Sequence, residues 1–340
     1  MNKSVYSSIA LSLILGLMMQ FIISCASTVK RMPDFEHFKL YGETRKDPDA
    51  PLGHVHALTD MKFTPDEFEK IMNRNVSDEL IGAGVQAYSS NTIALEALRQ
   101  ATRKAPSNPV AWAALVGQEV DSLSRKHMNV SFDDVYKDIE EFERVDTDNA
   151  LPVFLKAAVY FYEGRQQEAR SALLLTSEKS AFRTYDIEKK KCIIRAAEQV
   201  GFSDFSARYY AFVHQDIPSL NTYVRDIFEV FKEDREVANA VYEIGIKMEP
   251  QSKSNLALMV AYLFQGYAND TLGNEEVEKD LIEKDEAMKN RPRLALEDPF
   301  KVIPEKRWIK YFDEAFEINE QVAYKKLYSE YSTVTNQTKQ

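Results

Sequence analysis

The spacing of apolar residues is helical from Thr64 onward, and this pattern constrains the fold more than any other feature. Thr64, Pro65 and Glu67 together form a helix start with an N-cap, a proline in the first turn and a capping-box acid. Ser131, followed by two aspartates, is a second start. The chain has only 11 glycines in 340 residues, and alternating runs of valine, isoleucine and threonine are missing. Because all-β and parallel α/β folds need both, we predict an all-α fold.

One spacing of small and large residues repeats along these helices. It is formed by Ala94, Leu98, Ala101 and Pro106, and the next helix then brings Trp112. The spacing recurs at Val135, Ile139, Phe142 and Thr147, and at Ala238, Tyr242, Gly245 and Pro250. It resembles the pattern of tetratricopeptide repeats (TPRs) between residues 90 and 268. The resemblance implies a TPR-like helix-turn-helix solenoid, with an unrelated helical bundle as the alternative.

Composition and pattern divide the chain into five segments. They are a signal peptide over 1–24, a tether and lead-in over 25–62, a TPR-like body over 63–272, a charged helix with aromatic C-terminal helices over 273–331, and a disordered tail over 332–340. The repeat pattern degenerates between 182 and 233. We expect the aromatic C-terminal helices to cap the solenoid or fold back on it, and a partner surface is the alternative.

The N-terminus has the parts of a secretory signal. Lys3 precedes an apolar stretch over 9–23, and Ser24 then precedes Cys25. Residues 22–25 resemble the lipobox of bacterial lipoproteins, which implies cleavage before Cys25 and its modification by acyl chains such as palmitate. An uncleaved membrane anchor and a plain signal peptide are the alternatives, although a spanning helix needs roughly 20 apolar residues. Ala26 implies export to the outer membrane, so we expect a lipid-anchored protein of the bacterial cell envelope that faces the periplasm.

Charge and cysteine content narrow the classes of partner. Without residues 1–24 the chain has 42 basic and 53 acidic residues and a net charge of −11. This balance argues against nucleic acid, and against an anionic lipid surface, as the main partner. Cys192 is the only cysteine besides Cys25, and its apolar neighbours predict a buried small hydrophobe rather than a nucleophile.

Residues in a catalytic pattern are hard to find. The sequence has no Gly-x-Ser-x-Gly elbow, no phosphate-cradling loop and no His-Glu-x-x-His motif. His54 and His56 form a pair, but no third metal ligand has convincing spacing. We therefore predict no catalytic residues, no metal and no cofactor. An enzyme on a helical scaffold would require His54 or His56 to converge with acidic residues from elsewhere in the chain.

The TPR resemblance also implies a groove that can receive a ligand. Transferred onto this chain, its groove-facing positions include Val110, Leu151, Phe154, Phe161 and Phe264. These residues are apolar, so a clamp for acidic peptide tails is not expected. Three alternatives could cover this apolar face: the chain's own C-terminal aromatic helices, a partner's helix, or an apolar small ligand.

These observations favour a non-catalytic scaffold or adaptor that binds other envelope proteins and is held at the membrane through acylated Cys25. The alternative is an accessory lipoprotein that binds an apolar small ligand for a solute-uptake transporter, because the acylated, degenerate-TPR lipoproteins of some transporters resemble this architecture. The two functions predict different grooves. A scaffold's groove should be self-filled or open to a helix, whereas a ligand carrier should enclose a cavity around Phe154, Phe161 and Phe264.

Overall fold

The structure is a computed structural model that describes residues 63–86, 91–126, 130–214, 218–290, 294 and 299–332. The predictions for the signal peptide, Cys25, the tether, His54 and His56, and those for residues 333–340, lie outside this part of the chain. Over the described residues the protein is 81% helical and has no strand, which confirms the predicted all-α fold.

The described part of the chain contains sixteen α-helices. In chain order they are α1 Pro65–Arg74, α2 Ser77–Gln86, α3 Asn91–Lys104, α4 Pro109–Ser124, α5 Phe132–Val145, α6 Leu151–Tyr162, α7 Gln166–Leu175, α8 Asp186–Gln199, α9 Asp204–Val213, α10 Pro218–Phe231, α11 Arg235–Met248, α12 Asn255–Leu272, α13 Glu275–Lys289, α14 Pro299–Val302, α15 Glu305–Glu317 and α16 Glu320–Tyr331. Short 3₁₀ turns follow α7 and α11.

Capping residues determine where several helices begin and end. The Thr64 hydroxyl accepts the backbone N–H of Glu67 at 3.2 Å, and the Glu67 carboxylate accepts the backbone N–H of Thr64 at 2.8 Å, which confirms the predicted capping box. Ser131 caps α5 by accepting the backbone N–H of Asp134. Gly273 ends α12 in the left-handed conformation, at φ 68°, which glycine adopts without steric cost.

Helices α2 to α7 pack in chain order, and α4 also contacts α2 and α6. Helix α11 continues the stack on α7 and pairs closely with α12. Small residues such as Ala97 and Ala101 are fully buried, which lets neighbouring helices approach. Trp112 fills the space beside them, and its indole N–H donates to the carbonyl of Pro106 at 2.8 Å. The result is the predicted helical-repeat, solenoid-like fold.

The helices between residues 182 and 233, where the repeat pattern degenerates, do not pack in chain order. Helix α8 packs along α2 and contacts α4, and α10 packs against α6 and α12. The crossing of α2 and α8 is closest at Gly82, where a Cβ atom would lie 2.2 Å from the carbonyl oxygen of Cys192. Glycine is therefore required at this position by the approach of α8.

The aromatic C-terminal helices pack on α9. The Phe312 ring centroid on α15 lies 5.2 Å from that of Phe212 and 5.9 Å from that of Phe205. The turn before α16 also meets the start of α12, where the backbone N–H of Asn255 donates to Glu320 at 2.8 Å. These helices cap α9 and the start of α12. The expectation that they cover the predicted groove is not met, because their aromatic face is matched by the aromatic face of α9.

Candidate functional site

The structure brings three of the five predicted groove residues into one region. Leu151 and Phe154 lie on α6 and Phe264 lies on α12, and all three side chains are buried. The Phe154 and Phe264 ring centroids are 5.7 Å apart. Phe182 covers both rings, with centroid distances of 5.9 Å to Phe154 and 6.3 Å to Phe264. The chain's own Phe182 therefore fills the groove at this point.

The other two predicted positions lie outside this aromatic cluster. Val110 is half-buried in the first turn of α4, where it packs on the core. Phe161 is half-buried near the end of α6, and its ring contacts Tyr162 edge to face with centroids 5.5 Å apart. Phe154 and Phe264 therefore share one aromatic cluster, whereas Val110 and Phe161 lie outside it.

Phe182 is positioned by a clasp between two loops. The backbone N–H of Ala150 donates to the carbonyl of Ala181 at 2.8 Å. The Asn149 side chain accepts the backbone N–H of Arg183 at 2.8 Å and donates to the Arg183 carbonyl at 3.0 Å. Because Asn149 is fully buried, these bonds are shielded from water and fix the backbone on both sides of Phe182.

Charged side chains reinforce this clasp from outside. The Arg183 guanidinium lies 2.7 Å from the Asp148 carboxylate and 3.4 Å from that of Asp146. The Tyr185 hydroxyl donates to Asp146 at 2.5 Å, and Tyr185 itself has a left-handed backbone with φ 57°. Asp148 and Asn149 directly follow the repeat position Thr147 in the sequence. Nothing in the neighbouring residues predicts that they bind a segment more than thirty positions later.

A cavity of about 60 Å³ lies beside the aromatic cluster, where α4, α6, α8 and α10 meet. Its walls are of two kinds. The apolar wall comprises Val85, Ala113, Gly117, Leu151, Leu155 and Leu220. The polar wall comprises Gln118, Asp121, Thr184, Lys189, Ser219 and Tyr223. Ala113 and Gly117 lie on α4 three and seven positions after Val110, and both line the cavity.

An ion pair and hydrogen bonds connect side chains of the polar wall. Asp121 is bound by Arg125 at 3.0 Å and accepts the Ser219 hydroxyl at 3.3 Å. The Tyr223 side chain is 1% exposed, and its hydroxyl lies beside that of Ser219, which donates to Asp121 and can itself accept a hydrogen bond. Burial raises the pKa of Tyr223 well above its ordinary value, and Asp121 raises it further. The hydroxyl is therefore a neutral donor.

A more open cleft of about 250 Å³ lies on the other side of Thr184, which lines both spaces. It separates residues 182–188 from the end of α11 and the first turn of α12. Arg183, Asp186, Glu188 and Lys253 all line it, so both signs of charge face the opening. Such a balance favours no single class of charged ligand.

Two neighbouring carboxylates lie elsewhere, between α4 and α5, where Glu119 is buried and Asp138 is half-buried. Glu119 is fully buried, and one of its oxygens accepts a hydrogen bond from the Arg99 guanidinium at 3.0 Å. Burial and the nearby Asp138 carboxylate raise the pKa of Glu119 to about 8, against the opposing effect of Arg99. The sequence did not indicate this pair, because it depends on the packing of α4 against α5. Neither carboxylate lines the cavity or the cleft described above.

Cys192 is buried, and burial raises the pKa of its thiol to about 12, which confirms a small hydrophobe rather than a nucleophile. Within the described ranges, no group of three or more His, Cys, Asp or Glu side chains could hold a metal ion. In the same ranges no helix combines the length and the apolar character needed to cross a bilayer.

Comparison of the chain with known protein families, with curated proteins and with solved structures gives no match.

Proposed function

We propose that this protein is a non-catalytic scaffold or adaptor of the bacterial cell envelope, whose TPR-like body binds another envelope protein. The observation that carries the proposal is the packing of Phe182 over Phe154 and Phe264. A carrier of a bulky apolar ligand would need that space, whereas a scaffold does not. Stacked helical repeats expose long surfaces that commonly serve protein binding, and here the filled inner side favours a partner on the outer surfaces.

The anchor is the second part of the proposal. Cys25 carries the acyl chains, and residues 26–62 hold the body away from the membrane. Two or more acyl chains give stable anchoring, since each buried CH₂ contributes ~0.8 kcal/mol. The periplasmic face of the outer membrane is the proposed location.

The anchor is tested by fractionating cells that express the full chain. The Cys25→Ser variant should move to the soluble fraction and lose incorporation of labelled palmitate. Cys192→Ala is the matched control, because it removes the other cysteine and should leave the protein in the membrane. A Cys25→Ser protein that stays in the membrane fraction would refute the lipid anchor.

The scaffold is tested by crosslinking the full chain in cells, extracting the membranes and identifying bound proteins and small molecules by mass spectrometry. A stoichiometric envelope protein, crosslinked to exposed residues of the helical body, is the expected result. Recovery of a stoichiometric apolar molecule with no crosslinked protein would contradict the proposal.

The second candidate function, a ligand-binding accessory lipoprotein, is favoured by the cavity beside Tyr223. Pockets for drug-sized ligands usually measure roughly 300–1,000 Å³, and this cavity holds about 60 Å³. The bulky apolar ligand expected from the sequence does not fit this space, which has room only for a much smaller molecule.

A further inference from the structure

An apolar strip runs along one side of α12. Its residues are spaced by three, four and four positions, which places them on one face of the helix. They are Leu256, Met259, Leu263 and Tyr267. Leu263 is 4% exposed and packs with the other three rather than with the main core. Those three side chains are only half-buried, so the strip is partly open to solvent along a length of about 17 Å, or three helical turns.

The paired helix α11 does not cover this strip. A Cβ atom added at Gly245 on α11 would lie 2.7 Å from the carbonyl oxygen of Ala261 and 2.7 Å from the Cγ atom of Gln265. Helix α11 therefore packs on the side of α12 that carries Ala261 and Gln265. Residues two positions apart lie on nearly opposite sides of a helix, so Leu263 points away from α11. The strip is on the outer surface of this helix pair.

Helices α10 and α13 border the strip on its two sides. The Phe228 ring on α10 contacts the Tyr267 ring, with centroids 6.3 Å apart. On the other side, the Lys284 ammonium of α13 lies 5.1 Å from the ring centroid of Tyr262. The strip is thus the floor of a shallow groove between α10 and α13.

The apolar surface continues past the start of α12 onto the C-terminal helices. The Lys253 ammonium, three positions before Leu256, donates to the carbonyl of Glu317 at 2.8 Å. The next residue, Ile318, is 49% exposed, and Val322 in the first turn of α16 is 39% exposed. Two exposed aliphatic side chains therefore extend the strip at this end.

The wall formed by α13 is acidic. Its seven carboxylates and three lysines give a net charge of −4. Each lysine already has a carboxylate of the same helix within 4.0 Å, in the pairs Lys279–Glu283, Lys284–Asp280 and Lys289–Asp285. Four exposed glutamates of α13 form no ion pair with the described residues: Glu275, Glu276, Glu278 and Glu286.

The wall formed by α10 adds no excess of positive charge. Arg225 is bound by the neighbouring Asp226 carboxylate at 3.0 Å, and Glu229 is exposed one turn later. An apolar floor beside an acidic wall is complementary to a helix with one apolar face and basic flanks.

We propose that this groove binds an amphipathic helix of the partner protein, with the apolar face of that helix on the α12 strip and its lysine or arginine side chains toward α13. The inference rests on the scaffold function proposed above and specifies the kind of segment that the scaffold recognises.

The test uses a synthetic helix as the probe, a fluorescent peptide of about 14 residues with leucine on one face and lysine on the other. It is titrated against the purified full chain in nanodiscs of neutral phosphatidylcholine, with empty nanodiscs as the blank, and binding is followed by anisotropy. The peptide should bind saturably. A scrambled peptide of the same composition, and a peptide with glutamate in place of lysine, should bind at least about tenfold more weakly.

Two substitutions locate the site on the protein. Met259→Lys places a charge in the middle of the strip and should weaken binding roughly tenfold. Glu278→Lys reverses one charge of the α13 wall and should weaken binding about threefold at low salt, with a smaller effect at high salt. The matched controls are Ile246→Lys, at a 44% exposed residue of α11, and Glu140→Lys, at an exposed residue of α5. Both controls should bind the peptide like the parent, and thermal unfolding verifies that each variant is folded.

Equal binding of the scrambled peptide, or unchanged affinity of Met259→Lys, would overturn the inference. Crosslinking in cells shows whether another occupant covers the strip. A crosslink from α12 to a second copy of the chain, or to residues 26–62, that is lost in Met259→Lys would assign the groove to that segment instead. An envelope protein that crosslinks equally well to Met259→Lys would refute this groove and leave the scaffold intact, whereas the scaffold itself fails only if the parent crosslinks to no protein.

Discussion

Replacing Phe182 with alanine tests whether this segment is an integral part of the core. The Phe182 side chain is fully buried and packs against the rings of both Phe154 and Phe264. Deleting a buried phenylalanine side chain costs about 3–5 kcal/mol, which includes both the lost transfer free energy and the cavity that remains. The backbone bonds of the Asn149 clasp do not involve the deleted ring, so the segment should stay in place around an empty space. We therefore expect a loss of about 4 kcal/mol in the free energy of unfolding.

Urea denaturation followed by circular dichroism measures this loss. Benzene supplies a second readout, because dry apolar cavities of this kind bind it. At ten times its dissociation constant, benzene should restore about 1.4 kcal/mol to Phe182→Ala and nothing to the parent protein. Leu175→Ala is the control, since Leu175 is 48% exposed and its loss should cost less than about 0.5 kcal/mol. A loss below about 1 kcal/mol for Phe182→Ala, without a benzene response, would refute the packing argument.

Two further changes probe the helical stack. Glu119 has a pKa raised to about 8 in the folded protein against about 4.5 unfolded, so its contribution is fully present below pH 4.5 and is lost as the pH rises through 8. The free energy of unfolding should fall by up to ~1.4 kcal/mol per pH unit within that window. Urea titrations at several pH values should show that this free energy depends less on pH in Glu119→Gln than in the parent protein. The same pH dependence in both proteins would contradict the raised pKa. Trp112→Ala should cost about 3–5 kcal/mol, because the indole is buried and donates to Pro106. A loss under about 1 kcal/mol in the same assay would argue against its place in the repeat core.

The local parts of the fold were predictable from sequence because their causes are local. The Thr64 capping box and the Ser131 cap depend on residues three positions apart, and both are present in the structure. The repeat spacing likewise identified the apolar faces of α6 and α12, which carry Phe154 and Phe264. The sequence therefore shows which helix faces are apolar, but it does not show which other segments pack against them.

The position of α8, which packs on α2 and contacts α4, was not predictable from the sequence, for a physical reason. Helix α8 begins with Asp186 and carries Lys189 and Lys190, a composition typical of a solvated helix. All three side chains are buried, and the Lys190 ammonium lies 3.2 Å from the Asp186 carboxylate. Burial of such charges becomes tolerable only when both partners are buried together, which depends on tertiary structure.

For the aromatic C-terminal helices, the sequence indicated a buried face but not the surface against which it packs. Helices α6, α12 and α9 all carry aromatic residues that could contact it. Phe205 and Phe212 on α9 match Phe312, and the choice among these surfaces is a property of the assembled chain. The cavity beside Tyr223 was beyond sequence reasoning for the same reason, since it needs the position of α10 relative to α4.

The crossing of α2 and α8 at Gly82 changes how this chain must fold. An ordinary repeat array can nucleate anywhere and propagate between neighbours, because every contact is local. Here α8 must return to α2 across the intervening stack, and a large loop must close before the Gly82 contact forms. Contacts of high sequence separation slow folding and link distant segments into one cooperative unit. Loss of α8 from its place would therefore expose α2, far upstream in the chain. For this reason the intact helical body should unfold as one cooperative unit, and not repeat by repeat from its ends.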